Sequence, residues 1–185
     1  IYKNYADKFK LINIDWHKFY HHKDLSLDFI VNFQDKDWDF KYLSRHNNFN
    51  FKWVEELPDK NWDFKYLSRH NKLTVNILSK MKGGCIDWNE LSYNNNITFE
   101  WLIKFPNGGS KNWNWDILSK HKNLTLEWLE ILPDKNWNYK ILSEHINFNI
   151  DWLEKFPDKN WDYSKINLDN TLKIVEENCR KEYLA

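Results

Sequence analysis

The sequence predicts an all-α fold, an α-solenoid of about seven short helix-turn-helix repeats closed by a C-terminal capping helix. Three observations predict it. A tryptophan recurs about every 24 residues, the apolar positions between recurrences have one-sided helical spacing, and a Pro-Asp signal punctuates successive periods. In order, the chain divides into an N-terminal cap over 1–14, repeats over about 15–166 and a capping helix over about 167–185, all as a single array.

The anchors are Trp16, Trp38, Trp62, Trp88, Trp113, Trp137 and Trp161, spaced 22 to 26 residues apart and each preceded by Asp or Asn. In the first half of a unit, Trp62, Tyr66 and Leu67 share one side of a helix of two to three turns. Asp37, Asn61, Asn112, Asn136 and Asn160 stand where an N-cap accepts bonds from free amides, and the Asp or Asn after most tryptophans suits the positive helix end. The second half opens with Asn50, Thr74, Thr98, Thr125 or Asn149 as N-cap. Hydrophobic staples flank it: Phe49 with Val54, Leu73 with Leu78, Ile97 with Leu102, Leu124 with Leu129, and Phe148 with Leu153. Pro58, Pro106, Pro133 and Pro157 then stop the helix, and the Pro-Asp-Lys-Asn that follows in three copies is a tight turn.

Such short helices cannot bury their bulky faces alone, so neighbouring repeats must stack. That assigns Trp38, Trp62, Trp88, Trp113, Trp137, Trp161, Trp53, Trp101, Trp128 and Trp152 to the structural core. Irregularities fall where the pattern departs. Two residues are missing after Trp16 and after Trp88, PNGGSKNW enlarges one turn, and Gly83 and Gly84 occupy an expected helix C-cap. The final NTLKIVEENCRKEYLA is a charged amphipathic run that suits a polar cap.

Stretches such as WDFKYLSRHNNFNFKWVEELPDKN and WNYKILSEHINFNIDWLEKFPDKN resemble the tandem repeats of proteins from giant, mimivirus-like DNA viruses. That unit resembles PDKPWDW followed by LSxNPNIT. This chain has Asn or Asp before the tryptophan where those repeats often have Pro, and His after LSx where they often have Asn. The resemblance spans about residues 16–166 and implies a viral repeat protein; it supplies no catalytic residue.

Composition narrows the function. Twenty-seven basic residues balance 27 acidic ones, which provides none of the strong basic field of a general nucleic-acid or anionic-membrane binder. Twelve Trp, nine Tyr and twelve Phe exclude a disordered chain. The two cysteines, Cys85 and Cys179, form neither a disulfide framework nor a CxxC site and fit a reducing compartment. With no apolar run near the ~20 residues a bilayer requires and no signal-peptide core at the start, the expectation is an intracellular location, host cytoplasm or virion if the chain is viral, without membrane contact or secretion. Ile1 in place of Met suggests a piece of a longer protein.

His46, His70, His121 and His145 recur at one position and invite a metal reading. Equivalent side chains on stacked repeats would lie ~10 Å apart, too far to share one zinc ion at ~2 Å bonds. His21 and His22 point in different directions on a helix, so no metal is expected there either. The phase of the tryptophans favours core over base or sugar stacking. Arg45, Arg69 and Lys120, with Lys41, Lys65 and Lys140, outline a basic ridge that Glu144 and Asp116 interrupt, while Glu55, Glu56, Glu127, Glu130 and Glu154 populate the other helix row. Two Asn-x-Thr matches, at Asn96 and Asn123, are coincidental because each Thr serves as an N-cap.

No nucleophile elbow, phosphate loop, zincin motif or dinucleotide fingerprint occurs, so neither an enzyme nor a cofactor is expected. The leading expectation is a non-enzymatic scaffold for protein-protein interaction, whose candidate partner surface comprises Arg45, His46, Arg69, His70, Lys120, His121 and His145. The alternatives are a structural component of a giant-virus virion, associated with capsid or core, and a nucleic-acid-binding solenoid.

Overall fold

A computed structural model describes residues 15–81, 86–106 and 113–166. The expected caps at 1–14 and 167–185, the Gly83-Gly84 helix end, most of the enlarged turn before Trp113, and Asn112 as an N-cap lie outside the described residues. Every regular element among the described residues is helical. Eleven α-helices of four to six residues alternate along the chain, with 3-10 segments at Trp16–His21 and Tyr163–Lys165. The α-helices are α1 (Leu27–Asn32), α2 (Phe40–Leu43), α3 (Lys52–Glu56), α4 (Phe64–Ser68), α5 (Val75–Lys80), α6 (Trp88–Leu91), α7 (Phe99–Lys104), α8 (Trp115–Leu118), α9 (Leu126–Ile131), α10 (Tyr139–Leu142) and α11 (Ile150–Lys155). They fall into two compact units, one ending at Asn96 and the other beginning at Ile97.

In the repeats anchored on Trp38, Trp62, Trp113 and Trp137 the first helix is a single turn, shorter than its apolar spacing predicts, because the tryptophan stands outside it. There the N-cap is the Asp or Asn after the tryptophan, not the residue before. Asp39, Asp63, Asn138 and Asp162 accept bonds from Tyr42, Tyr66, Ile141 and Ser164 amides, at 3.0 to 3.2 Å. Asp37, Asn61, Asn136 and Asn160 instead sit inside a three-residue turn closed by tryptophan N–H to lysine C=O bonds, such as Trp62 to Lys60 at 2.9 Å and Trp137 to Lys135 at 2.7 Å. Tyr66, assigned above to the apolar side, is 39% exposed for the same reason: the face it shares is counted from Phe64, not from Trp62.

That placement explains the choice of indole. The Nε1–H of Trp38, Trp62, Trp137 and Trp161 donates at 2.8 Å to the carbonyl five residues earlier, at the C-cap of the preceding helix. A helix end leaves such carbonyls without partners; here the ring fills the core and its N–H closes the helix. Trp113 makes the same bond to Phe105, eight residues back, across the longer turn.

The register also accounts for the residues counted as missing. In the fourth repeat the N-cap is Asp87, so Ile86 takes the place of Trp62, and Trp88 opens α6 as Phe64 opens α4. Asp15 caps the first 3-10 segment in the same way, which aligns Trp16 with Phe40. No residue has been lost; the most conspicuous ring has moved two places along the motif.

The second helix begins as expected at Thr74, Thr98, Thr125 and Asn149, all extended. Of these only the Thr74 hydroxyl accepts a cap bond, from the Ile77 amide at 3.3 Å, and α3 starts from Phe51, with Asn50 accepting from the Lys52 amide. Burial of the staple residues does most of the work. Leu73, Leu78, Ile97, Leu102, Leu124 and Leu129 are buried, as are Phe49 and Val54. Each such side chain contributes on the order of 1.5–3 kcal/mol when removed from water.

Within each unit, four contacts recur at fixed offsets and join one repeat to the next. A buried serine after the first helix donates to the carbonyl four residues back and accepts the N-cap amide of the next repeat, 19 residues on: Ser44 with Asp63 at 2.9 Å, Ser68 with Asp87 at 3.3 Å, Ser119 with Asn138 at 2.9 Å and Ser143 with Asp162 at 2.8 Å. In the first repeat the Tyr20 hydroxyl replaces it, accepting from the Asp39 amide and donating to the Asp37 carbonyl. Side-chain amides of Asn48, Asn96, Asn123 and Asn147 reach back to carbonyls of the preceding repeat, including Leu25, Leu73, Ile97 and Leu124. The turn lysines lie over the ring that opens the previous first helix, Lys60 over Phe40 at 5.5 Å and Lys159 over Tyr139 at 5.4 Å. The residue after the serine meets the residue 21 positions on, as His21 meets Tyr42 and Glu144 meets Lys165.

Candidate functional site

The recurrent histidines are hydrogen-bonding parts of the repeat. Nδ1 of His46, His70, His121 and His145 accepts the backbone N–H two residues on, at 3.1 to 3.3 Å. An accepting Nδ1 places the proton on Nε2, and Nε2 of His145 lies 3.1 Å from the His121 carbonyl of the preceding repeat. Three of the rings stack on the second-helix tryptophan, His46 on Trp53, His121 on Trp128 and His145 on Trp152, with interplanar angles of 22° to 28°. Asn94 occupies the same position in the fourth repeat. Its Oδ1 accepts from the Asn96 amide at 2.9 Å and its Nδ2 donates to the Ser68 carbonyl at 2.8 Å.

Burial lowers the pKa of His46, against the opposing bond to the His22 carbonyl. Burial also lowers His145, against the bond to His121, and lowers His70 with help from Lys72. These rings are therefore held neutral, as the Nδ1 acceptor role requires.

The seven residues grouped above as one partner surface thus divide. His121 and His145 are 7% and 9% exposed and His46 and His70 are partly buried, so the histidines line the repeat interior. Arg45, Arg69 and Lys120 are exposed, but the two arginines couple repeats. Arg45 pairs with Asp63 at 2.5 Å and lies 4.7 Å from the Tyr66 ring centre; Arg69 pairs with Glu90 and lies 4.2 Å from the centre of Tyr93. Lys65 reaches the same Glu90 carboxylate at 3.4 Å. Although burial alone would raise it, the Asp63 carboxyl is held below its usual range by the Tyr66 amide and the Arg45 guanidinium.

Two concavities in the first unit have no counterpart in the motif reading. An open apolar groove of about 310 Å³ is lined by Phe51, Val54, Pro58, Phe64, Ile77 and Met81, and Glu55 and Lys80 pair at its rim at 3.5 Å. It lies where Ile77 replaces the second-helix tryptophan; Trp53, Trp101, Trp128 and Trp152 hold that position in other repeats. The loss of an indole there was legible in the sequence as a break in the tryptophan row. A second, polar cleft of about 310 Å³ lies between the first two repeats of the unit, against Tyr42 and Arg45.

Among the described residues no group of three or more His, Cys, Asp or Glu side chains is placed to hold a metal ion. No helix among them is long and apolar enough to cross a membrane. The Asn96 and Asn123 side-chain nitrogens, which an Asn-x-Thr modification would use, donate to carbonyls of the preceding repeat. No family model matches the chain, and neither a curated protein nor a solved structure matches it.

Proposed function

We propose that this chain is a non-enzymatic helical-repeat scaffold that binds a protein partner through the apolar groove of its first unit. The observation that carries this reading is the groove itself. Phe51 and Val54 belong to the buried set, yet with Phe64, Ile77 and Met81 they border a volume open to solvent. Elsewhere the repeat covers the corresponding ground with an indole. An apolar depression with a charged rim is the form in which an aromatic or aliphatic anchor from a partner gains most, because desolvated anchors in pockets dominate interface energies. The histidines and arginines support a scaffold differently, since the His145 bond to the His121 carbonyl and the pairing of Arg45 with Asp63 and of Arg69 with Glu90 hold repeats together.

The test is site-specific photo-crosslinking with the whole chain. A crosslinker replacing Pro58, at the groove, is compared with one replacing exposed Tyr163 in the other unit. A protein captured from Pro58 alone, and lost when Ile77→Trp fills the groove without lowering stability, supports the reading. Equal capture from both positions, or capture unaffected by Ile77→Trp, overturns it.

A further inference from the structure

The polar cleft between the first two repeats differs from the rest of the surface in charge. The chain as a whole is balanced, 27 basic against 27 acidic residues, and the helices carry mixed signs. Yet among the described residues that line this cleft none bears a carboxylate, while Lys23, Arg45, His21, His46, Tyr42 and Asn47 are among them. Several of these groups have donors to spare. Lys23 Nζ and the Asn47 side chain make no hydrogen bond or ion pair among the described residues. The Arg45 guanidinium uses one nitrogen on the Lys41 carbonyl and another on Asp63, which leaves part of its five-donor fork free. A site that holds these cationic donors and no carboxylate of its own favours a ligand that brings negative charge and acceptor oxygens.

The walls add a second requirement. Tyr42 is 39% exposed; Tyr20 stacks against it, with ring centres 5.4 Å apart at 26°, and the His21 ring meets its edge at 5.3 Å. Flat π surfaces beside cationic groups suit a planar ring joined to an anion. A volume of about 310 Å³ fits a small molecule and is at the lower limit for ligand pockets.

We propose that this cleft binds a nucleoside monophosphate, with its phosphate directed to Lys23 and Arg45 and its base against the Tyr42 and His21 rings. The cleft shares no lining residue with the apolar groove, so this site stands independently of the protein-partner reading. The same chemistry has two sources, a free nucleotide or one unit of a single strand. A strand would run on toward Arg69 and Tyr93, where a guanidinium again lies over a tyrosine ring, although one from a different position of the repeat than Tyr66.

The experiment is calorimetric titration of the whole chain at low salt with adenosine monophosphate, adenosine, inorganic phosphate and an oligoadenylate of five nucleotides. Adenosine monophosphate is expected to bind at least about tenfold more tightly than either adenosine or phosphate. Lys23→Gln should weaken it about tenfold and Lys23→Glu should abolish it, consistent with loss of one phosphate contact. Lys23 is exposed, so both variants should keep the parent thermal unfolding. Oligoadenylate binding about tenfold tighter than the mononucleotide, and weakened by Arg69→Gln, assigns the strand; equal binding assigns the free nucleotide. No binding, binding of phosphate as tight as the mononucleotide, which would mean an adventitious ion only, or affinity unchanged in Lys23→Gln overturns the proposal.

Discussion

Replacing Ser44 by Ala tests the serine contact between repeats. The Ser44 hydroxyl is fully buried; it donates to the Phe40 carbonyl at 2.8 Å and accepts the Asp63 amide at 2.9 Å. Alanine removes both bonds, but their costs differ. The Phe40 carbonyl keeps its helical bond from the Ser44 amide at 3.0 Å, so it stays satisfied. The part-buried Asp63 amide makes no other hydrogen bond, and a donor shielded from water and left without an acceptor costs about 1–3 kcal/mol. A loss of about 2 kcal/mol lowers Tm by roughly 8–16 °C in a unit of under a hundred residues. Ser79→Ala is the control. Its hydroxyl makes the same bond to the carbonyl four residues back, Val75 at 2.7 Å, but Ser79 is exposed and accepts nothing from another repeat. Urea unfolding followed by tryptophan fluorescence should show a lower midpoint with an unchanged slope for Ser44→Ala and a shift within about 0.5 kcal/mol for Ser79→Ala. Equal effects of the two substitutions would refute the strut and leave only the local bond.

Stability should fall with acid over the histidine range. With folded pKa values of His46, His70 and His145 below the ordinary 6.5, the unfolded chain binds more protons once the pH drops beneath that value. Their contribution is therefore complete above about pH 6.5 and is lost as the pH falls through the folded values. Asp63, held below its ordinary 3.8, acts only at lower pH. Replacing the three histidines by Asn, which performs the same bonding at position 94, should flatten the decline in urea midpoint between about pH 7.5 and 5; an unchanged slope would count against the neutral-acceptor role. Tyr139→Phe should be neutral or stabilising by up to about 1 kcal/mol, because its hydroxyl is buried without a hydrogen-bond partner and Phe40 and Phe64 hold the equivalent position. Destabilisation by more than that in the same assay would assign the hydroxyl a role the geometry lacks.

The helical class and the period were legible because they rest on signals that survive averaging: apolar spacing, extended Thr caps and proline stops. The register inside the repeat was harder to read because two aromatic positions compete for the eye. Trp38, Trp62, Trp113, Trp137 and Trp161 stand outside a helix and cap the one before, whereas Trp16 and Trp88 stand inside a helix at its first position. Aligning on the indole merged two roles. Aligning on the Asp or Asn that caps each first segment, accepting its second or third amide, would have kept them apart, since Asp15, Asp39, Asp63, Asp87, Asn114, Asn138 and Asp162 all occupy it.

The histidines of the candidate partner surface line the repeat interior for a related reason. A polar residue at a constant repeat position looks like a row facing solvent, yet a repeat protein must also satisfy the backbone groups at every seam between repeats. His145 and Asn147 serve that purpose, and their polarity is directed at the carbonyls of His121, Lys122 and Leu124. Recurrence in such a chain marks the seams. The two concavities lie instead where recurrence fails: at Ile77, where a missing indole opens the groove, and at Tyr20, where a ring takes the serine position and forms one wall of the polar cleft. Those two breaks, each a single residue long, were visible in the sequence only as imperfections of the motif, and their significance came from the space that each leaves beside it.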